Sequence, residues 1–146
     1  MSDIIVRQIT NDEFWEDAKR IRVEVFVDEQ GVPPEDELDE FEETARHFIA
    51  LYKGRPAGAC RWRYTDKGIK LERFAVSKEY RGKGIGSALV ATALEDAAAQ
   101  PESKTKERYL NAQISAMFLY ERHGFVKEGE PFDECGIMHY RMSLPA

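Results

Sequence analysis

The residues with the clearest chemical potential lie in one stretch, Arg81-Gly82-Lys83-Gly84-Ile85-Gly86. Three glycines let the backbone turn sharply and let successive N–H groups face one concavity. The stretch follows a strand-like run, Leu71 to Val76, and opens an amphipathic helix. Unpaired N–H groups and the helix dipole favour an anion at such an N-terminus. Arg81 and Lys83 add positive charge. The chemistry implied is binding of a phosphate or pyrophosphate. A Walker-type loop needs Gly-Lys-Ser or Gly-Lys-Thr, whereas Gly84 is followed by Ile85. A dinucleotide fingerprint needs G-x-G-x-x-G on the first strand of a parallel unit, and these glycines have other spacing and follow four strands. What remains is Arg81-x-x-Gly84-x-Gly86.

Other residues are candidates by type and place. Asn111 ends a strand, where asparagine is disfavoured, so a polar task is expected of it. Strand alternation puts Glu72 on the face opposite Leu71 and Arg73. There its carboxylate either accepts a proton from an amine through water or forms a salt bridge on the sheet. His139 and His47 are further titratable groups, although a lone histidine is more often structural. Arg61 and Arg63 share one strand face. With Arg22 they either line an acceptor pocket and bind an anionic group or pair with the acidic segment Asp28 to Glu43. Cys135 has no base partner in view and is not expected to be a nucleophile.

These residues need a frame to hold them. Ile4 to Ile9 reads as a strand. Asn11 or Asp12 caps a helix to about Val27, with Phe14, Ala18, Ile21 and Val25 at helical spacing. A loop follows, with a short helix near Glu35 to Phe41. Strands are expected at His47 to Tyr52, Ala57 to Tyr64 and Ile69 to Val76, with turns at Lys53-Gly54-Arg55-Pro56 and Asp66-Lys67-Gly68. A helix from Gly84 places Ile85, Leu89, Val90, Ala93, Leu94 and Ala97 on one face, and Pro101 ends it. Glu107 to Ala112 is a strand. Ser115 caps a short helix to His123, with Gly124 at its C-terminal cap. Phe125 to Glu128 and Ile137 to Leu144 are the last strands, with Pro131 to Gly136 between them. The order is mixed α/β on one sheet.

Composition bounds the function. The chain has 146 residues, 42% of them hydrophobic and 33% charged, enough for one domain with one core. A net charge of −6 speaks against nucleic acid and anionic membranes as default partners. Two cysteines, Cys60 and Cys135, make neither a disulfide framework nor a zinc pattern. No signal peptide and no apolar run long enough to span a bilayer is visible, so the cytoplasm is expected.

The loop, placed after Phe74-Ala75-Val76, resembles the pyrophosphate-binding motif of the GNAT superfamily of acyl-CoA N-acyltransferases. Leu110-Asn111-Ala112-Gln113 and Phe118-Leu119-Tyr120-Glu121-Arg122-His123-Gly124-Phe125 resemble that superfamily's second cofactor motif. Val25-Phe26-Val27-Asp28-Glu29-Gln30-Gly31-Val32-Pro33 and Gly136-Ile137-Met138-His139 are similar to the YjcF/ElaA-like branch, with Met138 where proline is more usual. The likeness covers nearly the whole chain.

The resemblance implies a single GNAT-like domain over residues 1–146, with a central, mostly antiparallel sheet splayed in the middle and about four flanking helices. It implies direct transfer of an acetyl group from acetyl-CoA to a primary amine of a small molecule or peptide, with no metal. Cofactor contacts are implied at Phe74, Ala75, Val76, Arg81, Gly82, Lys83, Gly84, Ile85, Gly86, Ser87, Asn111 and Ala116. Tyr120 is implied as the acid that protonates the leaving thiolate, Glu72 or a water as the base, and a backbone N–H near Val76 as the group polarising the thioester carbonyl. A non-catalytic CoA-binding module keeps the same loop without an acceptor pocket. An acyl-homoserine-lactone synthase is a weaker rival, echoed only by Arg22-Val23-Glu24-Val25-Phe26. A homodimer is compatible with the chain.

Overall fold

The structure, a computed structural model, describes residues 3–10, 13–37, 39 and 41–144. Seven strands form one sheet: β1 Ile4–Ile9, β2 Arg46–Tyr52, β3 Arg55–Thr65, β4 Gly68–Val76, β5 Arg108–Gln113, β6 Val126–Glu134 and β7 Ile137–Leu144. Their spatial order is β1-β2-β3-β4-β5-β7-β6. Every neighbouring pair is antiparallel except β4 and β5. The helices are α1 Trp15–Arg22, α2 Pro34–Glu37, α3 Ile85–Ala98 and α4 Met117–Glu121.

Alternation along the strands divides the core. Phe48, Ala50 and Trp62 pack with Leu89, Val90 and Ala93 of α3 on one face of the sheet. Ile49, Leu51 and Ala59 pack with Ala18 and Ile21 of α1 on the other. Lys53-Gly54 and Cys135-Gly136 turn between β2 and β3 and between β6 and β7, with positive φ at both residues of each pair. That geometry matches the twist of the flanking strands.

Two irregularities in β4 open the sheet. Gly68 has φ +135°, and a Cβ there would lie 2.3 Å from the Glu107 carbonyl oxygen. Only glycine permits this approach, which leads β5 alongside β4. The two strands then pair at Ile69 with Arg108 and at Lys70 with Tyr109, and part. Further on, Arg61 faces Glu72 and Ala59 faces Ala75, so Arg73 and Phe74 together oppose Cys60. This is a β-bulge, with Arg73 at φ 60°. It overturns the expected alternation. Leu71 and Phe74 now share the α3 face, while Arg73 reaches Asp39 on the same side as Glu72.

Other expectations shift in ways with physical causes. The first helix was expected to be continuous, but its last part, Val23–Glu29, is a π-helical segment. Its proposed cap, Asn11 or Asp12, lies outside the described residues, as do Leu38 and Glu40 of the expected helix near Glu35. Ser115 does not cap α4; it sits in a 3-10 turn, Ile114–Ala116. β6 runs on through Pro131 instead of ending at Glu128. Proline is tolerated there because β6 is the sheet edge and its register slips between Glu128 and Phe132.

Candidate active site

Where β4 and β5 part, a cavity of about 610 Å³ opens. One wall is β4 from Lys70 to Val76, and the other is β5 at Leu110, Asn111 and Gln113. The π-helical segment covers it through Val25, Phe26 and Glu29, and α4 contributes Phe118, Leu119 and Tyr120. Gln113 Nε2 donates to Gln30 Oε1 at 2.8 Å, tying the end of the π-helical cover to β5. Beyond Lys70, β4 has no strand partner on the β5 side among the described residues, so an extended ligand can pair with its backbone.

The glycine loop adjoins this cavity. Gly84 is the N-cap of α3, with φ 87° and no side-chain cap. The first intrahelical bond runs from Ala88 N–H to Gly84 O at 3.1 Å. The N–H groups of Ile85, Gly86 and Ser87 therefore lack intrahelical acceptors. A Cβ at Gly86 would lie 3.2 Å from Leu119 Cδ2, so glycine keeps α3 close to α4. The Ile85 side chain is buried in the core, leaving its backbone as the part available to a ligand. Lys83 Nζ stands 5.2 Å from the Tyr52 ring centre, and Ser87 Oγ is 2.9 Å from His123 Nε2.

Arg81 has partners that spacing did not reveal. Its Nη1 and Nη2 donate to both oxygens of Glu29 at 2.8 and 2.6 Å, and its Nε donates to Val76 O at 3.0 Å. The guanidinium holds the Glu29 carboxyl below its usual range. Glu24, on the same π-helical segment, accepts from Lys78 N–H at 3.0 Å and from Ser77 Oγ at 3.3 Å. Two carboxylates thus tie the cavity's cover to the loop. Neither was marked out by sequence, because each meets its partner some fifty positions further along the chain, beyond any local spacing rule.

Tyr120 and Phe74 meet edge to face in the cavity wall, with ring centres 5.7 Å apart. Tyr120 is buried, and burial pushes its phenol above the ordinary value, with the neighbouring Cys60 adding to the shift. It therefore stays protonated at neutral pH, the state an acid needs.

Glu72 sits among cations. Its oxygens lie 2.6 Å from Arg61, 2.8 Å from Arg63 and 3.3 Å from Lys70. Burial alone would raise its carboxyl, but these three charges outweigh it and hold the pKa below the ordinary value. Such a carboxylate is a poor proton acceptor, which speaks against the expected base role and for the ion-pair alternative. Arg61 also meets Asp39 at 2.6 Å and Glu42 at 3.2 Å. Arg22 pairs with Glu37 at 2.6 Å and Glu42 at 2.8 Å. Arg22 and Arg61 are thus buried in a network and do not line the cavity, whereas Arg63 does.

His139 does line it. Its Nδ1 lies 2.7 Å from the Ile137 carbonyl, which can only accept, so Nδ1 carries the proton of the neutral ring. Nε2 is left with its lone pair, 3.5 Å from Glu134 Oε2. His47 does not line the cavity; it donates from Nε2 to Glu42 O at 2.7 Å, and burial lowers its pKa.

Phe74, Ala75, Val76, Arg81, Asn111, Ala116, Tyr120 and Glu72 all line the cavity. Gly82 to Ser87 stand beside it, at and just before the start of α3. Cys135 lies at the rim, exposed, and Cys60 is buried. No group of three or more His, Cys, Asp or Glu side chains suited to a metal occurs among the described residues. Nor is any of their helices long and apolar enough to cross a membrane.

Comparison with known proteins agrees with this geometry. The family described as Acetyltransferase (GNAT) domain matches residues 10–146. The Bacillus subtilis (strain 168) protein termed Uncharacterized N-acetyltransferase YjcF is 41% identical over 133 residues, covering 90% of this chain and 93% of that protein. The crystal structure of Escherichia coli ElaA superposes with a TM-score of 0.82 at 25% identity, covering 96% of this chain and 98% of that one. A GNAT family acetyltransferase from Elizabethkingia anophelis, solved with acetyl-CoA bound, shares the fold at a TM-score of 0.75 and 15% identity over the whole of both chains. A sheet split beside an uncapped helix, and these likenesses along almost the full length, place the chain in the GNAT family of acetyltransferases, in the branch of YjcF and ElaA.

Proposed function

We propose that the chain, as one domain over residues 1–146, transfers an acetyl group from acetyl-CoA directly to a primary amine of a small molecule or peptide. The observation that carries this reading is the placement of the β4–β5 split between the uncapped start of α3 and Tyr120. The residues fit acetyl-CoA. The free N–H groups of Ile85, Gly86 and Ser87 suit a pyrophosphate, and the unpaired edge of β4 suits an extended amide-bearing arm. A relative of the same fold was solved with acetyl-CoA bound. The free thiols of Cys60 and Cys135 suit a reducing compartment, so we place the reaction in the cytoplasm.

Acetyl-CoA supplies an already activated thioester, so the protein's part is to orient, exclude water and move protons. The loop and α3 hold the pyrophosphate, with Arg81 bracing the loop against Glu29. Phe74, Ala75 and Val76 align the arm, and a β4 N–H near Val76 takes up charge developing on the carbonyl oxygen. Asn111 and Ala116 contact the arm from across the split. Tyr120 donates its proton to the sulfur. Glu72 stays out of proton transfer because its charge is committed to Arg61, Arg63 and Lys70. We assign the proton from the attacking amine to His139 Nε2, directly or through one water, with Glu134 beside it to stabilise the imidazolium.

The test is release of free thiol from acetyl-CoA with a panel of primary amines. Amine-dependent release, with acetylated amine found by mass spectrometry, supports the reading. Tight CoA binding without release from any amine would make the chain a binding module instead.

A further inference from the structure

Resting on that reading, we propose that the acceptor carries an anionic group, a carboxylate or phosphate, which Arg63 and Lys70 bind at the inner end of the cavity. The argument is one of charge on a sheet face. Among the described residues, Arg63 and Lys70 share a single carboxylate, Glu72, which Arg61 also contacts. Asp39, the next carboxylate, is divided between Arg61 and Arg73. Glu37 pairs with Arg22, and Glu42 bridges Arg22 and Arg61, so neither carboxylate reaches Arg63 or Lys70. The inner end is therefore short of negative charge, in a chain whose net charge is −6. A local excess of cations is the exception in such a protein, and an incoming anion would relieve it.

Geometry makes these cations available. The Arg63 guanidinium carbon lies over the Phe41 ring, 3.6 Å from its centre, and Arg63 Nε donates to Glu72, which leaves the terminal nitrogens as donors. Arg63 and Lys70 are partly exposed, at 15% and 20% of their side chains. Together with Asn111 they line both the main cavity and a shallower groove of about 300 Å³. In that groove Lys67 and Arg141 add positive charge against one carboxylate, Asp66, although Arg141 is itself paired with Glu107 and Glu128. A second sign lies in the same cavity: among the described residues Arg73 Nε is buried with no hydrogen-bond partner, as is Glu37 Oε2. A buried donor left unmatched is costly, and a bound acceptor oxygen is the usual remedy. An amine held by its anion at Arg63 and Lys70 lies on the Glu72 face of β4, in the cavity that His139 also lines, with Tyr120 across the split on the Phe74 face.

The experiment uses matched primary amines that differ only by the anion: ethanolamine with O-phosphoethanolamine, and tyramine with tyrosine. Binding to the purified chain is measured by calorimetry with CoA saturating, so that the loop's own anion site is filled. At least one anionic member should bind about 10-fold or more tightly than its partner. Arg63→Gln and Lys70→Gln should each weaken that binding about 10-fold while CoA affinity holds. The pair that responds tells phosphate from carboxylate. Equal binding of both members in each pair, or an unchanged preference in both variants, overturns the subsite. A fall in melting temperature with no change in anion preference does the same. Thiol release keeps the two readings apart: anion-dependent binding without transfer supports the subsite and counts against the transferase, whereas transfer indifferent to the anion does the reverse.

Discussion

Arg81 grips both carboxylate oxygens of Glu29 while its Nε donates to the Val76 carbonyl. One side chain thus joins the π-helical cover, the end of β4 and the glycine loop. Arg81→Lys should weaken CoA binding several-fold, because an ammonium cannot reproduce the fork. Glu29→Gln should do so too, if Arg81 works by bracing the loop. Calorimetry reads both; unchanged affinity in Glu29→Gln with a loss in Arg81→Lys would mean that Arg81 acts by touching the phosphates alone.

The glycine loop gives a sharper case. Gly84→Asp adds a charge at the anion site and a side chain at φ 87°. CoA binding should be lost, while the fold, followed by circular dichroism, persists. Gly86→Val should weaken binding by pressing on Leu119. Wild-type affinity in Gly84→Asp would remove the pyrophosphate assignment.

Tyr120→Phe deletes one hydroxyl from a ring packed on Phe74 and Phe125. Turnover should fall by roughly 10²–10⁴, the usual range for one positioned acid, with little change in CoA affinity. Unchanged turnover, where chemistry limits the rate, would make Tyr120 a packing residue only.

His139 and Glu72 make opposite predictions. His139→Gln should lower turnover at neutral pH and recover part of it at high pH, where more of the amine is already free. Glu72→Gln should lower the melting temperature and leave the shape of the pH–rate profile intact. A profile altered by Glu72→Gln and not by His139→Gln would reverse the assignment.

The ionic network predicts acid sensitivity. Asp39, Glu42 and Glu72 are pushed up by burial but held below their ordinary values by the arginines. Unfolded carboxyls titrate near pH 4, so this stabilisation is whole above about pH 5 and is lost as pH falls through the depressed folded values. Asp39→Asn should cost about 1–3 kcal/mol at pH 7, because it leaves a nearly buried Arg61 short of a partner. Its melting temperature should then fall less than the wild type's between pH 5 and pH 3. An equal fall in both would place the acid-sensitive groups elsewhere.

Most of the frame was legible because local rules wrote it. β1 was readable from its β-branched run, α3 from its apolar face, and the loop from its glycine spacing. The bulge at Arg73 and the π-helical segment were not, since neither leaves a composition signal: arginine adopts a positive φ there only because the neighbouring strands demand it. Glu72 was placed on the right strand, but its meaning depended on Arg61, Arg63 and Lys70 converging in space. The bracing of Arg81 by Glu29 likewise joins residues far apart in the chain, beyond the reach of any spacing rule.

The central claim is that the β4–β5 split holds an acyl-CoA with its sulfur beside Tyr120. A crystal structure of the chain with CoA tests it most directly. The account predicts pyrophosphate oxygens accepting from the N–H groups at the start of α3, the arm paired along β4 beyond Lys70, and the sulfur within hydrogen-bonding reach of the Tyr120 hydroxyl. A CoA bound outside the split, or one whose sulfur points away from Tyr120, would contradict it.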